Sequence, residues 1–174
     1  MIKKTALLAS ALTLALVGTA AHAQGPYVGV SAGISDYDLE GVEFDNATSF
    51  KALGGFQIND NFAIEAAYIN FGDAELEEFS VVEANVTSLG ISGVGIAPIN
   101  ESVSLFGKVG FHSWDAELTA PGFEKESDDG VDFNLGVGAE FHATEQVSLI
   151  AELEHYKVDS EAINNASIGV RVYF

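Results

Sequence analysis

From Ala166 to Phe174 the side chains change character at every step: Ala166, Ile168, Val170, Val172 and Phe174 alternate with Ser167, Gly169, Arg171 and Tyr173. Residues two apart share a face of an extended strand, so this segment meets two different surroundings. The alternation recurs over residues 27–35, 48–58, 61–71, 103–114, 131–142 and 146–156. In residues 48–58, for example, Phe50, Ala52, Gly54, Phe56 and Ile58 oppose Lys51, Leu53, Gly55 and Gln57. An eighth segment, about 81–96, is ambiguous, with Leu89 and Ile91 on one parity and Val86, Val94 and Ile96 on the other. A bulge near Gly90 to Gly93 is the expected reconciliation.

The other end of the chain supplies the compartment. Lys3 and Lys4 precede an apolar run over 5–17 and then Ala21-His22-Ala23, the layout of a cleaved secretory signal over residues 1–23, leaving 24–174 as one mature domain. That run falls short of the ~20 residues a helix needs to span a bilayer. A domain of this size needs no disulfide, and the chain has no cysteine. Eighteen glycines against three prolines suit strands packed around a narrow interior. The net charge of −19 excludes nucleic acid as a partner.

Connections alternate in length. Residues 59–61, 98–102 and 143–145 are tight turns, whereas 36–47, 72–80, 115–130 and 157–165 are longer. Bacterial outer-membrane barrels have short periplasmic turns and long extracellular loops, so an all-β, eight-stranded antiparallel up-and-down transmembrane barrel with periplasmic termini is predicted. A soluble ligand barrel would turn its apolar face inward. The loop alternation and the small residues of the polar face argue against it. Tyr27, Phe56, Phe62, Tyr68, Phe71, Phe141 and Phe174, near strand ends, are expected to form aromatic girdles at the two membrane interfaces.

Gly54 to Asn59 running into Ile64 to Tyr68, Gly136 to Phe141, and Ala151-Glu152-Leu153-Glu154 resemble the transmembrane domain of the OmpA-type outer-membrane barrel family over about the whole of 24–174. The resemblance implies the outer membrane of a Gram-negative bacterium. It also implies that Val170, Val172, Tyr173 and Phe174 form the signal read by the barrel-assembly machinery. No peptidoglycan-binding domain follows, so the cell-wall tethering of longer relatives is not expected.

Lys51, Glu65, Lys108, Glu140, Glu152, Glu154 and Arg171 share the inward parity. A Lys or Arg facing lipid at mid-depth costs roughly 2–4 kcal/mol, which favours placing these charges in the lumen. There, three cations and four acids are expected to pair, because an unpaired buried charge is expensive. The OmpA-type interior likewise holds an ion-pair network, with acids where Glu65 and Glu140 stand. Ile150, where relatives often carry arginine, and a fourth strand without lysine leave a family-style gating pair without its usual residues. A structural plug is therefore preferred over an ion gate, since side chains normally fill an eight-stranded interior.

Most remaining acids crowd the long loops. Asp36, Asp38, Glu40, Glu43 and Asp45 occupy the first, and Glu124, Glu126, Asp128, Asp129 and Asp132 lie in or beside the third. They suit a solvated surface, or contact with lipopolysaccharide through divalent cations. Asp36-x-Asp38-x-Glu40-Gly41 begins like a calcium loop but has Ala47 at the twelfth place, so no metal ligand is nominated. Nor is a cofactor expected. A lipid-modifying serine activated by histidine fails on parity, since His112 points inward while Ser113 and His155 point outward and His142 belongs to a turn. The expected role is non-enzymatic, in envelope integrity and surface interaction, with a narrow channel or a surface adhesin as alternatives.

Overall fold

The computed structural model describes residues 25–38, 46–76, 79–119, 126–159 and 161–174. The signal segment, Glu40, Glu43, Asp45 and Glu124 lie outside the described residues. The chain forms β1 (Gly25–Asp38), β2 (Ala47–Asn59), β3 (Phe62–Leu76), β4 (Phe79–Pro98), β5 (Val103–Thr119), β6 (Glu126–His142), β7 (Val147–Val158) and β8 (Glu161–Tyr173). Each strand pairs antiparallel with its sequence neighbours, and β1 closes on β8 from Tyr27↔Tyr173 to Asp38↔Ala162. The predicted eight-stranded up-and-down barrel is the fold observed.

The wall sorts residues by the pleat. Phe50, Leu89, Phe111, Val131, Leu153 and Ile168 stand on the outer surface, Ile168 at 73% exposure. Large apolar side chains displayed this way belong against lipid rather than water. On β2 the outward row from Ile58 to Phe50 rises about 20 Å at ~3.3 Å per residue and ~40° tilt, close to the apolar thickness of an outer membrane.

One end of the barrel carries the three tight turns and the β1 and β8 ends. Its turns are held by short side chains: the Asn61 amide donates to Asn59 Oδ1 (2.9 Å), Ser102 to Asn100 Oδ1 (2.9 Å) and Gln146 to Thr144 Oγ1 (3.2 Å). Such residues close a reversal by bonding backbone two positions on. At the far end the strands run longer than the alternation alone indicates. Rungs continue to Glu75↔Glu83, Leu118↔Glu126 and Val158↔Glu161, so much of 72–80, 115–130 and 157–165 is strand rather than loop. Pairing of β2 with β3 stops at Phe50↔Asn70 and that of β6 with β7 at Asn134↔Tyr156. Strands β3 to β6 therefore rise above the rest as a four-stranded sheet.

Two expectations are corrected. Strand β4 has no bulge at Gly90 to Gly93: its rungs run unbroken from Gly95 to Thr87 with β3 and from Glu83 to Pro98 with β5. Val86, Val94 and Ile96 face inward because the lumen contains apolar layers, so no change of parity is needed. A register shift lies instead on β3, between Asn70 and Asp73. Gly72 sits there at φ +87°, its amide donating to Asn70 Oδ1 (2.8 Å), and a Cβ would strike the Thr48 carbonyl. Tyr27 and Phe71 are not girdle residues. Both are buried in the lumen, whereas Phe56, Phe62, Tyr68 and Phe141 do face outward.

Candidate functional site: a charged belt between two apolar layers

The lumen is filled in tiers. Near the end with the tight turns, Tyr27, Leu53, Ala63, Val94, Phe106 and Ile150 form one apolar cluster. Toward the far end, Ala47, Ile69, Phe71, Val86, Tyr156 and Ile163 form another. Charged residues separate them along the strands: Lys51 lies between Leu53 and Ala47 on β2, Glu65 between Ala63 and Ile69 on β3, and Glu152 and Glu154 between Ile150 and Tyr156 on β7.

All seven inward charges are buried, and each meets an opposite charge. Lys51 pairs with Glu152 and, at 2.7 Å, with Glu154. Lys108 stands at the centre, 3.0 Å from Glu65, 2.6 Å from Glu152 and 3.1 Å from Glu154. Arg171 joins the other two acids, one terminal nitrogen 3.0 Å from Glu65 and the other 2.6 Å from Glu140. Its guanidinium lies over the Tyr27 ring (4.7 Å) and near Phe106 (5.4 Å), so this arm threads the first apolar cluster with cation–π support. Two glycines make the centre possible. A Cβ at Gly136 would lie 2.8 Å from Lys108 Cγ, and one at Gly138 would lie 2.6 Å from the Ala151 carbonyl and collide with the Phe106 ring.

Three tyrosines complete the network, although charge parity alone does not nominate them. Tyr27 donates to Glu65 (3.1 Å), Tyr156 to Glu154 (3.0 Å) and Tyr173 to Glu140 (2.7 Å). Asn165 donates to Glu154 (3.3 Å) and accepts from Ser49 (2.5 Å) and Ser35 (3.2 Å). Each of these tyrosines stands two positions from a network charge or a small inward residue, so parity extended to aromatics is the available signal. Of the four terminal positions, Val170 and Val172 lie on the outward parity and Tyr173 on the inward.

Two of the histidines are tied into the lumen. His112 is buried, with Nδ1 meeting Ser88 Oγ (2.8 Å) and Nε2 meeting the Lys157 carbonyl (2.9 Å). Since the carbonyl only accepts, Nε2 carries the proton and Nδ1 takes the Ser88 hydroxyl. His142 closes β6 rather than lying in the turn, with Nε2 3.2 Å from Ser104 Oγ and Nδ1 2.9 Å from Ser148 Oγ. Glu140 stands 3.7 Å from Nδ1, beyond hydrogen-bond reach, with its oxygens held by Tyr173 and Arg171. The arrangement has a serine and an imidazole but lacks an orienting carboxylate. No group of histidines and acids suited to a metal ion occurs among the described residues.

Comparison with known proteins places this geometry in context. Ail, the attachment invasion locus protein of Yersinia pestis, superposes with a TM-score of 0.67 at 20% identity, covering 87% of this chain and 99% of its own. Neisserial surface protein A gives 0.72 at 19%, covering 88% and 100%. The N-terminal barrel of Pseudomonas aeruginosa OprF gives 0.60 at 17%, covering 85% and 97%. At such identities the likeness is one of fold. No curated protein matches in sequence. The family model described as outer membrane protein beta-barrel domain matches residues 5–174, and the chain therefore belongs to that family of Gram-negative outer-membrane barrels.

Proposed function

We propose that this protein is a non-enzymatic structural barrel that supports envelope integrity, its termini in the periplasm and its acidic far end the surface that meets other molecules. The observation that carries the reading is the paired belt between two apolar clusters. A hydrated ion entering the lumen would have to break pairs whose members are then left buried and unpaired, at several kcal/mol each. Refolded into planar bilayers, the protein is expected to show no discrete openings, and Lys108→Ala is expected to stay closed because the apolar clusters remain. Openings that Lys108→Ala alters would replace this reading with a narrow channel.

A non-catalytic role is favoured by the described Ser104–His142 pair, whose second ring nitrogen meets Ser148 while Glu140 is held by Tyr173 and Arg171. Incubation with lipopolysaccharide is expected to release no fatty acid, and Ser104→Ala is expected to change nothing. Release lost in Ser104→Ala would overturn the assignment. Outer-membrane location brings lipid contact. Contact with lipopolysaccharide through divalent cations is favoured by the exposed acids Asp36, Asp115, Asp128 and Asp129. Val170, Val172, Tyr173 and Phe174 are proposed as the segment the barrel-assembly machinery reads. Ail has been captured with the heparin analogue sucrose octasulfate, a polyanion. The acidic rim of this chain disfavours ligands of that charge.

A further inference from the structure

The acidic rim includes an edge on β6 whose charge selects one partner chemistry, a proposal that rests on the rim being the contact surface. Above its last rung with β7, Asn134↔Tyr156, strand β6 continues for eight residues paired only with β5. Among the described residues, no strand bonds the β7-facing side of Glu126 to Val131. At the foot of this seam, side chains replace the missing ladder. Asp132 accepts from Trp114 Nε1 (3.1 Å), from Lys157 Nζ (3.0 Å) and from the Asp159 amide (2.9 Å). Trp114 lies against Gly130, where a Cβ would sit 2.6 Å from the indole. The foot is thereby fastened, while the strand above it presents an edge that no described strand pairs.

An edge of this kind is a template for an added strand. Its charge selects the occupant. Asp128 and Asp129 are exposed on the two faces of the strand, and the Asp159 backbone stands across the seam from Asp132. Residues 126–132 contain four acids and no cation. Lys157, the cation at the foot, is engaged by Asp132 and by the Asp159 carbonyl. A second copy of this chain laid antiparallel along the same edge would bring like acids opposite one another, which is destabilising. We infer that the upper edge of β6, residues 126–131, receives a basic, extended segment of a partner protein by strand addition.

The test uses the full barrel refolded in neutral detergent micelles and three ten-residue probe peptides. One alternates lysine with valine, the second carries proline at alternate positions of the same basic sequence, and the third has glutamate for lysine. Binding is followed through Trp114, the only tryptophan, and by amide hydrogen exchange. The lysine–valine peptide is expected to bind at least about tenfold more tightly than the proline version, which lacks the ladder donors. It is expected to slow exchange at residues 126–131 and to weaken as salt rises from about 0.05 to about 0.3 M. The glutamate peptide is expected not to bind. Asp128→Asn combined with Asp129→Asn is expected to weaken binding by about fivefold or more without changing the fold. Equal binding of the lysine and proline peptides overturns the proposal, as does protection confined to other rim segments, though the latter leaves an acidic contact rim standing. Protection of 126–131 that grows with protein concentration alone assigns the edge to a second copy and also overturns it. Failure of both basic peptides at low salt removes the edge and the basic-partner form of the rim together.

Discussion

Within one lumen, the charged belt and the apolar clusters fill space by opposite physics. The clusters around Phe106 and Phe71 gain from every apolar contact and tolerate modest changes in direction. The belt gains only when every charge meets its partner, because an ion without one is far worse off buried than in water. Lys108 touches three acids and Arg171 two, so the loss of one cation strands several carboxylates. The apolar tiers thus fill the lumen without directional demands, whereas the belt requires each cation to meet its acids.

That contrast can be broken most directly at Arg171. Arg171→Ala leaves Glu65 and Glu140 without their guanidinium and is expected to lower stability by about 3–5 kcal/mol, read as a shifted denaturation midpoint in micelles by Trp114 fluorescence. A shift no larger than that of an exposed residue would mean that the belt is dispensable. Replacing Arg171 and Glu140 together by leucines is expected to recover part of the loss, since an apolar pair carries no stranded charge. Phe106→Ala tests the other tier and is expected to cost about 3–4 kcal/mol through the cavity it leaves. Its conductance should stay closed while the belt is intact, and opening in this variant alone would make the apolar layer the true seal. Gly138→Ala forces a methyl against the Phe106 ring, and about 1–3 kcal/mol is expected, measured in the same way. The smallest effect is expected from Lys157→Ala. Its pair with Asp132 is part-exposed and worth about 0.5–1 kcal/mol, so loosening of the seam should register as greater quenching of Trp114 with little change in midpoint.

The wall is legible in the sequence because the pleat repeats every two residues, and the eight alternating segments map onto eight strands with most ends moved outward by a few residues. Parity also groups Lys51, Glu65, Lys108, Glu140, Glu152, Glu154 and Arg171 on one side. It does not say which cation meets which acid, because partners such as Arg171 and Glu65 are far apart in the chain and meet only across the closed cylinder. The fourth strand reads as ambiguous only if the inward face is polar throughout. Val86 and Val94 are inward and apolar because the tiers above and below the belt exclude water. A place near strand ends points Tyr27 and Phe71 to the membrane interface, but the structure turns both inward. Each is long enough to reach across a narrow lumen, and for Tyr27 a carboxylate waits there to accept its hydroxyl.

Local chain chemistry alone determined the strands, the tight turns with their asparagine and threonine caps, and the sorting of side chains to two faces. Those are properties of neighbours in sequence, governed by the period of an extended backbone. Closure of β1 on β8 decided the pairing within the belt, the three tyrosine donors and the apolar tiers, and the early end of the β6–β7 ladder decided the upper edge of β6, which no described strand pairs. Each depends on distances across the barrel or on where two ladders stop, and such distances come into being only when the last strand meets the first.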